Sequence, residues 1–255
     1  EYWQRLFDGM DEIRSRLTSA SREKIYRLMQ DQTGIDFNRD NCYAVVMWVV
    51  KNANTYFDEQ LVTMYETMVE MANVENYVSN KRVFKWERFR YMYQNEKQEA
   101  THYRLKVGHR MVLNRCGGLE HRWGTNRGID ERACTFLSDM ATVAHNLGFR
   151  IIRHDLPREG SVMDSSPFVV RHTPAKGKPE SLMRVRVFRN SNLHVQFAPE
   201  LIHALNVQHG RLKGWLRDDA EAATELEIPA ETAARHFTPG FRLTSSALRI
   251  TAPAA

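Results

Sequence analysis

"MRVRVFRNSNLHVQF", residues 183–197, alternates on both sides of a polar turn. Val185 and Val187 are interleaved with Arg184 and Arg186, and Leu193, Val195 and Phe197 with His194 and Gln196. A period of two places each set on its own face of a strand. Asn190-Ser191-Asn192 between the two runs is turn chemistry. The stretch therefore predicts an antiparallel hairpin with one apolar face and one basic, polar face. A slip of one residue would expose the whole apolar set, so the register is pinned by burial. The cover for that face follows directly: Pro199 opens a helix that carries Leu201, Leu205, Leu212 and Trp215.

Working outward, the clearest helix lies just upstream. Asp130 is its N-cap and Ile129 its staple. Ala133, Phe136, Leu137, Met140, Val143, Ala144 and Leu147 form its apolar stripe, and Gly148 ends it. "FRIIR" after it reads as a strand, and residues 156–179, with four prolines, read as a long loop holding a short strand at "FVVRH". The N-terminal part is helical. One amphipathic helix carries Trp3, Leu6, Phe7, Met10, Ile13 and Leu17, and a second, capped by Ser21, carries Ile25 and Leu28. A third, buried helix holds "AVVMWVV", and a fourth has a stripe of Phe57, Leu61, Met64, Met68 and Met71. A Met-rich stripe of this kind is more often core than a binding groove. Residues 83–113 read as a β-ribbon, and two short alanine-rich acidic helices close the chain. The expected fold is α+β and predominantly helical: a helical N-terminal part (residues 1–78), then an α+β part (residues 79–255) in which two small antiparallel β-ribbons pack on helices. Nothing in the pattern prevents the two parts from forming one continuous domain.

The 255 residues are 42% hydrophobic and 26% charged, and the net charge is +5. Such a chain is long enough for a large core, and its moderate basic surplus permits a polyanionic partner without requiring one. Cys42, Cys116 and Cys134 are odd in number and widely spaced, which argues against a disulfide framework or a thiolate zinc site and for a reducing cytoplasm. The longest apolar run has seven residues, far short of the ~20 that a membrane span needs.

Several separate blocks resemble one family: "NYVSNKRVF", "THYRLKVGHRMVLNRCGG", "DERACTFLSDMATVAHNLGF", "VRVFRNSNLHVQF", "ALNVQHGRLKGWL" and "ARHFTPGFRL". It is a family of unknown function found in plasmid and prophage proteins. Its members occur alone or C-terminal to domains similar to adenine-type DNA methyltransferases. The resemblance implies a life on mobile elements and a link to DNA metabolism or phage defence, with a methyltransferase or defence protein as partner. It transfers no catalytic residues. The chain itself has no glycine-rich cofactor turn and no Asp/Asn-Pro-Pro-aromatic motif, so no cofactor is expected.

The candidate chemistry comes down to a few constellations. None of the ten histidines forms His-x-x-x-His or pairs with a near cysteine, so no metal site is expected. Arg189 and His194 have the arginine, four residues, histidine spacing of some helical RNA-cleaving toxins, but here they straddle a predicted turn. Asp155, Asp164 and Glu180 lie near the central loop without the Glu-x-Lys strand of a metal-dependent nuclease. The strongest signal is cationic. Lys81, Arg82, Lys85, Arg88, Arg90, Arg104, Lys106 and Arg110 crowd the first ribbon among Phe84, Trp86, Phe89, Tyr91 and Tyr93, and Arg184 and Arg186 mark the second. The rings are expected to face a core and the cations to face solvent, where they form a surface for phosphates. The leading expectation is a non-catalytic nucleic-acid-binding protein, DNA first, serving a modification or defence system. A nuclease or toxin using Arg189 and His194 and an adaptor using the Met-rich helix are the alternatives.

Overall fold

The computed structural model describes residues 2–31, 36–72, 106–122 and 125–238. The helical N-terminal elements are α1 (Tyr2–Asp8), α2 (Asp11–Arg14), α3 (Ser19–Asp31) and α4 (Arg39–Ala72). Next come β1 (Arg110–Leu113), β2 (Leu119–Arg122), β3 (Thr125–Ile129), α5 (Glu131–Asn146), β4 (Arg150–Ile151) and a single 3-10 turn (Arg153–Asp155). The rest is β5 (Phe168–Thr173), β6 (Glu180–Val187), β7 (Leu193–Phe197), α6 (Pro199–Leu212), α7 (Asp219–Leu226) and α8 (Ala230–Phe237). The chain is α+β, and about half of its described residues are helical.

The hairpin folds as its alternation requires. β6 and β7 pair antiparallel with Val185 opposite Val195 and Val187 opposite Leu193. Val185, Val187, Leu193, Val195 and Phe197 are all buried, while Arg184, Arg186, His194 and Gln196 are all exposed. The two-ribbon expectation needs correcting, however. β6 and β7 are the centre of a five-stranded antiparallel sheet, ordered β1-β7-β6-β5-β4. β1 joins β7 from far upstream (Met111 opposite Val195, Leu113 opposite Leu193), and local periodicity carries no record of so distant a partner. Of the predicted ribbon over residues 83–113, only the end is seen, as β1; residues 83–105 lie outside the described residues. A separate hairpin, β2–β3, was not expected at all.

The buried face of the sheet packs on Leu61, Met64, Tyr65 and Met68 of α4, on the stripe of α5, and on Leu201 and Leu205 of α6. The Met-rich stripe is therefore core. Asp130 caps α5 as predicted: its carboxylate accepts from Ala133 N at 2.8 Å and also from Gly118 N at 2.8 Å, tying the β1–β2 connection to the helix. Gly118 has no freedom to be anything else, because a Cβ there would collide with the Phe188 carbonyl.

Two N-terminal expectations also change. The first helix is broken into α1 and α2 at Gly9-Met10, where glycine's poor helix propensity meets a Met10 backbone outside the helical region (φ −89°, ψ 58°). The third and fourth helices are one: α4 runs 34 residues, with neither glycine nor proline to stop it. Asn52, a plausible breaker, turns its amide back to the Trp48 carbonyl at 2.7 Å and stays within the helix. α4 thereby runs through two clusters. Its first half packs Val49, Val50, Ala53, Tyr56 and Phe57 against Phe7, Ile13, Leu17 and Ile25, and its second half enters the sheet core. "AVVMWVV" is only partly buried: Val49 and Val50 face α1–α3, but Trp48 is 40% exposed, because helices cover one side only.

A polar knot sits inside the apolar core. The Asn206 side chain of α6 accepts from the Tyr65 hydroxyl at 2.7 Å and from Val107 N at 2.9 Å, and donates to Val107 O at 3.1 Å. Tyr65 stacks on His209 with ring centroids 3.7 Å apart. The knot joins α4, α6 and the segment that leads into β1, so it fixes where β1 begins.

Candidate functional site

The site is the open face of the sheet. Alternation along β1, β6 and β7 turns every second residue outward, and the register lines these residues up across strands. One row is Arg110–Gln196–Arg184; the next is Val112–His194–Arg186. They surround a shallow depression of about 500 Å³, with Ala72 at the end of α4 and Pro167 before β5 at its rim. Among the described residues, no carboxylate lines it. Among the described residues, Arg110, Arg184 and Arg186 take part in no ion pair. The His194 ring packs against Phe188, centroids 4.3 Å apart and tilted by 46°, at the edge of this face.

The residues predicted to bind nucleic acid divide three ways. Arg110, Arg184 and Arg186 come together here. Lys106 does not: its side chain is 11% exposed and pairs with Glu227 at 3.4 Å, beside Val107 and His203. Lys81, Arg82, Lys85, Arg88, Arg90 and Arg104 lie outside the described residues. Of the two catalytic candidates, His194 lines the depression, whereas Arg189 sits in the β6–β7 turn and is not among the lining residues. The residues facing His194 across the strands are Arg186 on β6 and Val112 on β1. Val112 enters the site only through the β1–β7 pairing, whereas the hairpin alternation alone had already marked Gln196 as outward.

The other groups with chemical potential are occupied or muted. Asp155 accepts two bonds from the Arg171 guanidinium, at 2.7 and 2.8 Å, and one from Arg171 N at 3.0 Å. The Arg171 guanidinium holds the carboxyl below its ordinary range. Asp164 accepts from Ser166 N at 2.7 Å. Burial pushes the Cys116 thiol up to about 12 and the Cys134 thiol up to about 11, which removes both as thiolate nucleophiles near neutral pH. Among the described residues, no three His, Cys, Asp or Glu side chains cluster as a metal site would require, and no helix is long and apolar enough to cross a membrane.

Fold and candidate site together define an α+β protein with a basic sheet face whose arginines have no ion pair among the described residues. The chain belongs to a family described as a domain of unknown function, DUF4942, whose sequence model matches residues 1–215. That stretch takes in the whole sheet and α6. No curated protein and no solved structure matches the chain.

Proposed function

We propose that this protein binds nucleic acid, DNA in the first instance, through the open sheet face. One observation carries the reading: three exposed arginines, Arg110 on β1 and Arg184 and Arg186 on β6 with β7 between, are free of ion pairs and ring a depression with no acidic side chain among the described residues. Unneutralised guanidinium groups held on rigid strands are suited to phosphate oxygens, which they contact with two N–H donors at once. The net charge of +5 favours the approach of a polyanion. Binding without chemistry is the reading adopted, because among the described residues no carboxylate or second histidine stands beside His194 in the depression. The blocks of resemblance in the sequence support a role on mobile elements, as the accessory or recognition partner of a DNA modification or defence system in the cytoplasm.

The experiment is a salt titration of binding to fluorescent DNA, single- and double-stranded. Affinity should fall steeply with salt, and Arg184→Glu with Arg186→Glu should lower the log–log slope by about 0.7–0.9 for each phosphate left unneutralised. Absence of DNA and RNA binding at low salt would overturn the proposal. Binding indifferent to the two substitutions would remove the sheet face from it.

A further inference from the structure

Granted the nucleic-acid reading above, the shape of the face selects among nucleic acids. We infer that the ligand is a single strand whose bases lie in the depression while its phosphates meet the arginines.

The first argument is width. Neighbouring strands are about 4.8 Å apart, so the exposed face from β1 through β7 and β6 to β5 spans about 14 Å between strand axes, before any side chains are added. A major groove is about 12 Å wide and admits a helix or a two-stranded ribbon. This face is broader than that, and its other side is bound to α4, α5 and α6, so it has no thin edge to insert. Against a duplex it would reach phosphates only.

The second argument is what lines the depression. Arg110 and Arg184 lie two strand spacings apart, about 10 Å, and Arg184 and Arg186 two residues apart along β6, about 7 Å. Between them sit groups that offer more than a phosphate requires: the His194 ring backed by Phe188, the Gln196 amide, and the exposed Val112 side chain, 43% accessible. A ring, an amide and an apolar patch, framed by planar guanidinium groups, suit an unpaired base. Such a base stacks on histidine, aromatic or arginine planes and offers its edge to an amide. In a duplex those base faces are hidden. The depression, at about 500 Å³, is in the size range of pockets that enclose small flat ligands, whereas phosphate contact alone needs no concavity.

The test compares anisotropy of labelled 12-nucleotide single-stranded DNA, single-stranded RNA and duplex DNA of the same sequence, on the full chain at fixed low salt. A single strand, of either sugar, should bind at least about tenfold more tightly than the duplex. His194→Ala should weaken single-strand binding by about fivefold or more, the loss of one stacked base, while leaving the salt slope unchanged. Arg184→Glu should weaken binding and reduce the slope. His194, Arg184 and Gln196 are exposed, so unchanged urea midpoints are expected to certify the variants as folded. Duplex binding equal to or tighter than single-strand binding, or a His194→Ala protein that binds as the wild type does, would overturn the single-strand inference and leave the phosphate-binding proposal standing. No binding of any of the three probes would overturn both.

Discussion

Replacing Asn206 by Ala should be among the most costly single changes in this protein. The side chain makes three hydrogen bonds in surroundings where Tyr65 is 0% and Asn206 itself 7% exposed. Alanine strands the Val107 N–H and C=O, each buried polar group costing about 1–3 kcal/mol when it loses its partner, and takes an acceptor from the Tyr65 hydroxyl, about 1 kcal/mol more. Water entering the vacated space recovers part of this, which leaves a loss of about 3–5 kcal/mol. Tyr65→Phe removes the hydroxyl bonded to Asn206, and Asn206 keeps both bonds to Val107, so that change should cost about 1 kcal/mol. Urea unfolding followed by far-UV circular dichroism, with m held common to the variants, measures both. Because the two residues share one bond, the double variant should lose less than the sum of the single losses. An Asn206→Ala protein within about 1 kcal/mol of wild type, or a strictly additive cycle, would show that the knot is not holding the Val107 segment.

Phe197→Ala should cost about 3–5 kcal/mol in the same assay, since its side chain is 2% exposed at the sheet centre, whereas Arg184→Ala on the opposite face should cost less than about 0.5 kcal/mol; comparable losses would refute the assigned register. The Asp155–Arg171 pair predicts an acid limb. Because Arg171 depresses the folded-state pKa of Asp155 below its ordinary 3.8, the pair's stabilisation is complete above that value and is lost as pH falls through the lower folded value. Asp155→Asn should flatten the decline in stability below pH ~4 without steepening it elsewhere, and an unchanged acid limb would show the pair to be idle.

What the sequence disclosed follows the range of the interactions concerned. The α5 cap at Asp130, its apolar stripe and the Gly148 stop are set within one helix, and each was readable. The β6–β7 faces were readable for the same reason, since alternation and turn lie within one short stretch of chain. The five-stranded sheet was not readable, because β1 finds β7 through burial of Met111 and Leu113 against helices that the strand itself does not encode. The fusion of two expected helices into α4 was hidden by Asn52 and Asn54, which favour breaks by propensity but are overridden by packing on both sides. Within the candidate site, the arginines of β6 were legible as an outward row. Their convergence with Arg110 depended on the non-local pairing, and so did the diversion of Lys106 to Glu227.

The strand order also sets a timetable for a chain made from its N-terminus. Phe7, Ile13, Leu17, Ile25 and the first half of α4 contact one another within residues 7–57, so that cluster has all its parts early in synthesis. β1 is in the opposite position. Leu113 is translated long before Leu193, the residue it must pair with, and until then one edge of β1 and the second half of α4 have neither sheet nor α6 to cover them. Long-range pairings of this kind close slowly and leave apolar surface open while they wait. A ribosome stalled between residues 113 and 193 therefore holds an N-terminal apolar cluster whose parts are all present, followed by a sticky, half-built core. That intermediate is where chaperones would engage this protein and where premature truncation would send it to aggregation or proteolysis.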